Sequence, residues 1–153
     1  MNLEVAKNEA LFLMQKHGLL DLGWRFEFDT AKKRFGCCHY RPKKISLSKH
    51  LTKLNEIEQV KNTILHEIAH ALVGFKNGHN SIWKQKALEI GCDGNRCYSY
   101  KEVNRVQGNY VATCGTCNHT YHRFKKPKRK SSCGKCSRGF NPNHLLNFEP
   151  VKK

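Results

Sequence analysis

Thr63-Ile64-Leu65-His66-Glu67-Ile68-Ala69-His70-Ala71-Leu72 is the stretch on which the reading of this chain turns. His66 and His70 stand four residues apart, and on an α-helix positions i and i+4 share a face, one turn apart. Two imidazoles so placed can reach one zinc ion. Glu67, about 100° further round the helix, is then the carboxylate that takes a proton from water in the His-Glu-x-x-His pattern. A helix over residues 56–76 is expected, because Ile57, Val60, Ile64, Ile68, Ala71, Leu72 and Phe75 repeat at helical spacing. That stripe anchors the helix, while His66 and His70 fall on the other side with Gln59 and Thr63. The plain alternative is two solvent-exposed histidines beside a surface glutamate.

A catalytic zinc usually takes three protein ligands and leaves one position open. His79, nine residues past His70, follows Gly78, which can end the helix and turn the chain back. Glu89 is the rival, on the next helix, as in sites built from two histidines and a glutamate. Spacing alone leaves both open.

Outward from this helix, the chain reads as an α+β layout. Leu3, Ala6, Ala10, Leu13 and Met14 mark a first amphipathic helix, with Gly18 as its stop. Trp24–Phe28 alternates like a half-buried strand, and Lys33–Tyr40 follows after a turn, so the two read as a hairpin. Lys43–Ser48 is a third short strand. After the histidine helix, a further helix is expected from about Ser81 to Ile90. Cys37 and Cys38 read as strand residues, one facing in and one out. Cys92 and Cys97 read as reduced thiols near a turn, their spacing being marginal for a zinc pair.

Beyond residue 102 the composition changes. Residues 1–102 carry 17 Lys/Arg against 11 Asp/Glu, whereas residues 103–153 carry 11 against 1, giving the overall charge of +16. A field of that sign calls for a polyanionic partner, nucleic acid being the commonest. Four of the eight cysteines form two Cys-x-x-Cys pairs, Cys114/Cys117 and Cys133/Cys136, with 15 residues between them. Two such pairs make a tetrahedral Cys₄ zinc site, a zinc ribbon. The segment is too small to bury a core, so the metal would supply about 10–16 kcal/mol of its folding energy. Between the pairs, Arg123, Lys125, Lys126, Lys128, Arg129 and Lys130 can meet phosphates, while Tyr121 and Phe124 can stack on bases. No base-reading pattern is visible, so DNA binding without sequence specificity is expected.

Metal thiolates need a reducing compartment, the short apolar run Ala10–Met14 follows two glutamates, and no stretch approaches the length of a membrane span. A cytoplasmic, monomeric protein with two domains, 1–102 and 103–153, is therefore expected.

Together these residues resemble the SprT-like family of zinc metallopeptidases, which includes bacterial SprT and the eukaryotic Spartan proteases. The match runs from Gly36-Cys37 and Ile45–Ser48 through His66-Glu67-Ile68-Ala69-His70-Ala71, Gly78–Trp83 and Ile90-Gly91 to Tyr110–Cys117. The resemblance implies a zincin-like core with a C-terminal ribbon. It also implies His79 as third ligand, two zinc ions, one catalytic and one structural, and DNA-linked proteolysis of bound or crosslinked proteins, a DNA-repair role. Under that reading Ile45–Ser48 lines the cleft as an edge strand, and Arg96, Tyr98 and Tyr100 are oxyanion candidates. The alternative is a non-proteolytic nucleic-acid-binding accessory factor whose histidine site is structural or degenerate. Zinc-dependent hydrolysis of something other than a peptide is a third reading.

Overall fold

The structure, a computed structural model, describes residues 1–97 and 103–152. Tyr98 and Tyr100 lie outside the described residues. The chain divides into two compact units, Met1–Val106 and Gln107–Lys153. The division comes a few residues later than composition suggested, because Val103 and Val106 pack on the first core and the Asn104 N–H donates to Asn55 Oδ1 at 2.7 Å.

In the first unit, α1 (Leu3–Lys16) starts at Asn2, whose side chain accepts the Glu4 N–H, and it buries Ala6, Ala10, Leu13 and Met14. Three strands follow: β1 (Arg25–Asp29), β2 (Gly36–His39) and β3 (Lys44–Ser48), in sheet order β1-β3-β2. β1 pairs with β3 in parallel, and β2 pairs with β3 antiparallel. The expected hairpin between the first two strands is therefore not formed. Ile45, Ser46, Leu47 and Ser48 are all buried, so β3 needs cover on both faces and both edges and takes the centre. The hairpin is β2–β3, closed by a Tyr40–Lys43 turn in which Lys43 adopts φ +47° and its N–H donates to Tyr40 O. For the same reason Ile45–Ser48 is not an edge strand, and β2 is.

A short helix that periodicity gave no sign of, α2 (Lys49–Leu54), is capped by Ser48, whose Oγ accepts the Leu51 N–H at 3.1 Å. The histidine helix α3 (Ile57–Val73) is buried all round over Thr63–His70 rather than along one stripe. Val60, Ile64 and Ile68 are fully buried, worth about 1.5–3 kcal/mol each. Ile57 and Phe75, at the two ends of the expected stripe, are exposed. α3 ends at Gly74, with φ +82° and ψ 162°, and not at Gly78. A 3₁₀ turn (Phe75–Asn77) and Gly78 at φ +48° lead into α4 (Ser81–Glu89), whose cap Asn80 accepts the Trp83 N–H. α4 buries Trp83 and Ala87 and leaves Ile82 and Leu88 exposed.

The second unit is a three-stranded antiparallel sheet, order β5-β4-β6, from β4 (Tyr110–Thr113), β5 (Thr120–Arg123) and β6 (Glu149–Pro150). Its buried core is Ala112, Cys114, Cys133, Leu146 and Phe148, too small to stand on apolar burial alone. Among the described residues no helix is long and apolar enough to cross a membrane.

Candidate metal centres

Burial decides the state of the histidines. His66, His70 and His79 bring their Nε2 atoms into a triangle, 3.0 Å from His66 to His79, 3.0 Å from His70 to His79 and 3.3 Å from His66 to His70. α3 supplies the first two, and the Gly74–Gly78 reversal delivers the third. Three ring nitrogens cannot all hydrogen-bond one another, since each neutral ring has one N–H, pointing one way. Lone pairs converging on a cation account for the triangle. Tetrahedral zinc with bonds of about 2.1 Å separates its nitrogens by about 3.4 Å, close to these distances, so the donor set fits the ion. Burial pushes the His66 and His70 pKa values down to about 4, with the neighbouring imidazoles adding to it, and His79 is lowered for the same reason. The rings are thus neutral at physiological pH, the form that ligates. Beneath them lies the Trp83 indole, stacked on His70 at 5.2 Å and 4.6 Å from both His66 and His79.

Glu67 points to the neighbouring β2 edge. Burial raises its pKa to about 7 against the pull of the Arg34 charge and the Cys38 backbone hydrogen bond. The approach is close enough to require glycine at position 36. A Cβ there would sit 2.8 Å from Glu67 Oε1 and 2.8 Å from Thr63 Cγ2. Glu67 and the three histidines line one open cleft of about 420 Å³, with Lys33–Cys38, Tyr40, Arg96, Cys97 and Arg105 as the rest of its wall. Burial raises the Cys38 thiol and the Tyr40 hydroxyl to about 12, so both stay protonated and uncharged beside the carboxylate.

In the second unit, Cys114, Cys117, Cys133 and Cys136 form a second cluster. Cys114 Sγ lies 3.8 Å from Cys136 Sγ, and Cys117 Sγ lies 3.6 Å from Cys133 Sγ. Zinc–sulfur bonds of about 2.3 Å in a tetrahedron separate the sulfurs by about 3.8 Å, so this set fits zinc as well. The Tyr121 hydroxyl sits 3.2 Å from Cys133 Sγ, and this contact leads in lowering the Cys133 thiol to about 6. Cys136 is raised to about 12, chiefly by proton sharing with Cys117. One thiolate formed makes the next harder to form; a divalent cation removes that conflict.

The family model for the SprT-like family matches residues 4–107. The chain belongs to the SprT-like family. Compared with the curated proteins, it finds no significant match.

Within this SprT-like chain, His66, Glu67, His70 and His79 stand together in one cleft, and the four ribbon cysteines form one cluster. Glu89, the rival ligand, is exposed and pairs with Lys86 at 2.9 Å, away from the triangle. Cys92 is buried with its thiol toward Asn62 O, Cys97 is exposed at the cleft, and neither joins a metal cluster among the described residues. Arg123, Lys125, Lys126, Lys128, Arg129 and Lys130 are exposed, and Arg123 lies over the Phe148 ring at 6.0 Å. Phe124 is half-buried beside a shallow cavity of about 660 Å³ that Tyr110, Lys125 and Lys126 also line. Tyr121, which the sequence offered as a base-stacking ring, faces the cysteine cluster. Gly36, Arg34 and the Cys38 backbone went unread as parts of the site. A glycine inside a strand is itself a sign of close approach, but nothing local says to what.

Proposed function

We propose that this protein is a zinc metallopeptidase with a zincin-like first unit, acting on proteins bound or crosslinked to DNA. The observation that carries the reading is three neutral imidazoles converging beside one buried carboxylate at the base of an open cleft. When bound by His66, His70 and His79, zinc supplies Lewis acidity that polarises a peptide carbonyl and lowers the pKa of the attacking water. Glu67 takes the water proton on its carboxylate and then gives it to the departing amine nitrogen. A base with a pKa near 7 suits both transfers at neutral pH. The Cys38 N–H and the glycine-sized gap at Gly36 hold that carboxylate in place, and Trp83 keeps the three rings packed. An extended substrate aligns along β2, the edge strand that borders the cleft, by main-chain pairing. In the second unit the cysteine cluster holds a structural zinc, and the basic segment 123–130 takes the DNA backbone, bringing DNA-bound proteins to the enzyme.

The test is a DNA-bound protein incubated with zinc-loaded enzyme, with and without free DNA, beside Glu67→Gln. Cleavage that needs Glu67, with zinc content unchanged in the variant, is the expected result. Proteolysis undiminished in Glu67→Gln would remove the carboxylate from the mechanism. Absence of cleavage by the wild type, with DNA still bound, would leave a binding protein.

A further inference from the structure

The cleft around the histidines has one sign of charge on its rim. Four cationic side chains line it, Lys33, Arg34, Arg96 and Arg105, and all four are exposed. Among the described residues that line it, Glu67 is the lone carboxylate. Asp29 pairs with Arg34 at 2.8 Å and Asp93 accepts the Asn95 N–H at 2.9 Å, and neither lines the cleft. Arg96 and His79 line the same cleft, which puts a guanidinium on the wall that the third histidine shares. A low-dielectric cleft lined by one sign of charge focuses its field on whatever enters.

We propose that the cleft selects acidic peptide segments, with Asp or Glu within a few residues of the scissile bond, and that Arg96 and Lys33 set this preference. The inference rests on the peptidase reading of the same site and names its substrate class. Guanidinium and ammonium groups on a rim recognise carboxylates by charge-assisted hydrogen bonds, Arg in a bidentate fork. A peptide is favoured over a nucleic acid here because the groups at the base of the cleft act on a carbonyl. The cleft, about 420 Å³, is also in the size range of sites that enclose a small ligand or a short stretch of chain.

The experiment uses the full zinc-loaded chain and three fluorogenic peptides, identical except for Asp/Glu, Ser/Asn or Lys/Arg at the flanking positions. A denatured protein of near-neutral charge is the common control. The acidic peptide should be cleaved roughly three- to tenfold better than the neutral one in kcat/KM at low salt, the sum of a few exposed ion pairs, with the advantage shrinking as salt rises. Arg96→Ala should reduce the acidic-to-neutral ratio, and Arg96→Glu should turn it toward the basic peptide, both at unchanged zinc content. Cleavage of the control and of all three peptides at equal rates overturns the acidic preference and leaves the peptidase reading standing. Cleavage of none of the four by zinc-loaded protein overturns both. A short single-stranded oligonucleotide that inhibits the wild type but not Arg96→Ala would assign the rim to phosphates and also overturn the proposal.

Discussion

At the scale of single residues, the site depends on how buried groups are kept in the useful protonation state. Glu67 carries a testable sign. Its ordinary pKa is 4.5 and its folded value is about 7, so between those limits the native state holds the proton that the unfolded chain has lost. The stability it contributes is full below pH 4.5 and is lost as pH rises to 7. His66 and His70 run the other way: their folded values near 4 mean stability is lost as pH falls from 6.5 toward 4. In metal-stripped protein, Glu67→Gln should therefore gain about 1–3 kcal/mol over wild type at pH 8 relative to pH 4, while the acid limb is shared. Denaturant unfolding followed by Trp24 and Trp83, both in the first unit, reads this directly. Parallel pH curves for the two proteins would mean that Glu67 titrates in the folded protein as it does in the unfolded chain. Gly36→Ala is the second test at this scale. Its Cβ would land 2.8 Å from the Glu67 carboxylate, so proteolysis should drop at least about tenfold with zinc content kept, at a stability cost of about 1–3 kcal/mol. His66, Glu67 and His70 were legible because their spacing is a property of one helix. Gly36 was not, because its neighbour lies 31 positions away in sequence.

At the scale of elements, the histidine site is a helix and a chain reversal, and the reversal is set by Gly74. Its φ of +82° with ψ 162° belongs to a region that only glycine enters at low cost, and nothing lies within 4 Å of where a Cβ would stand. Gly74→Ala is thus a backbone change without a steric one. It should cost about 1–3 kcal/mol and loosen His79 from the other two rings, weakening zinc in the first unit while α3 remains. Metal titration beside circular dichroism separates the two effects; unchanged zinc affinity would show that the third histidine is placed by α4 alone. Helices were the most readable elements, because α1 and α4 bury residues at helical spacing and α3 carries an apolar stripe at that spacing even though its middle is buried all round. The strands were readable as strands but not in their order. A five-residue strand buried on both faces looks the same in sequence at an edge as at the centre, and only its partners reveal which it is. α2 was missed since six residues are too few to show a period.

At the scale of the whole molecule, two units divide the chemistry and the charge. The acids sit almost entirely in the first 102 residues, while residues 103–153 hold 11 Lys/Arg and a single Glu. The second unit's buried core is five residues, two of them cysteines of the metal cluster, so its fold and its metal stand or fall together. Wild type should bind two zinc ions, and His66→Ala or Cys133→Ser should each bind one. Cys133→Ser should also unfold the second unit and leave the emission of Trp24 and Trp83 unmoved. Its effect on DNA then separates ribbon from cleft. If about five phosphates are neutralised by segment 123–130, wild-type affinity should fall several-hundred-fold between 50 and 200 mM salt. Cys133→Ser should lose most of the affinity and flatten that dependence, whereas His66→Ala should keep both, because a lost metal in the first unit removes no cation from the second. Equal weakening by the two variants would place the phosphate contacts outside the ribbon, and the excess of positive charge after residue 102 would then need another anion to explain it.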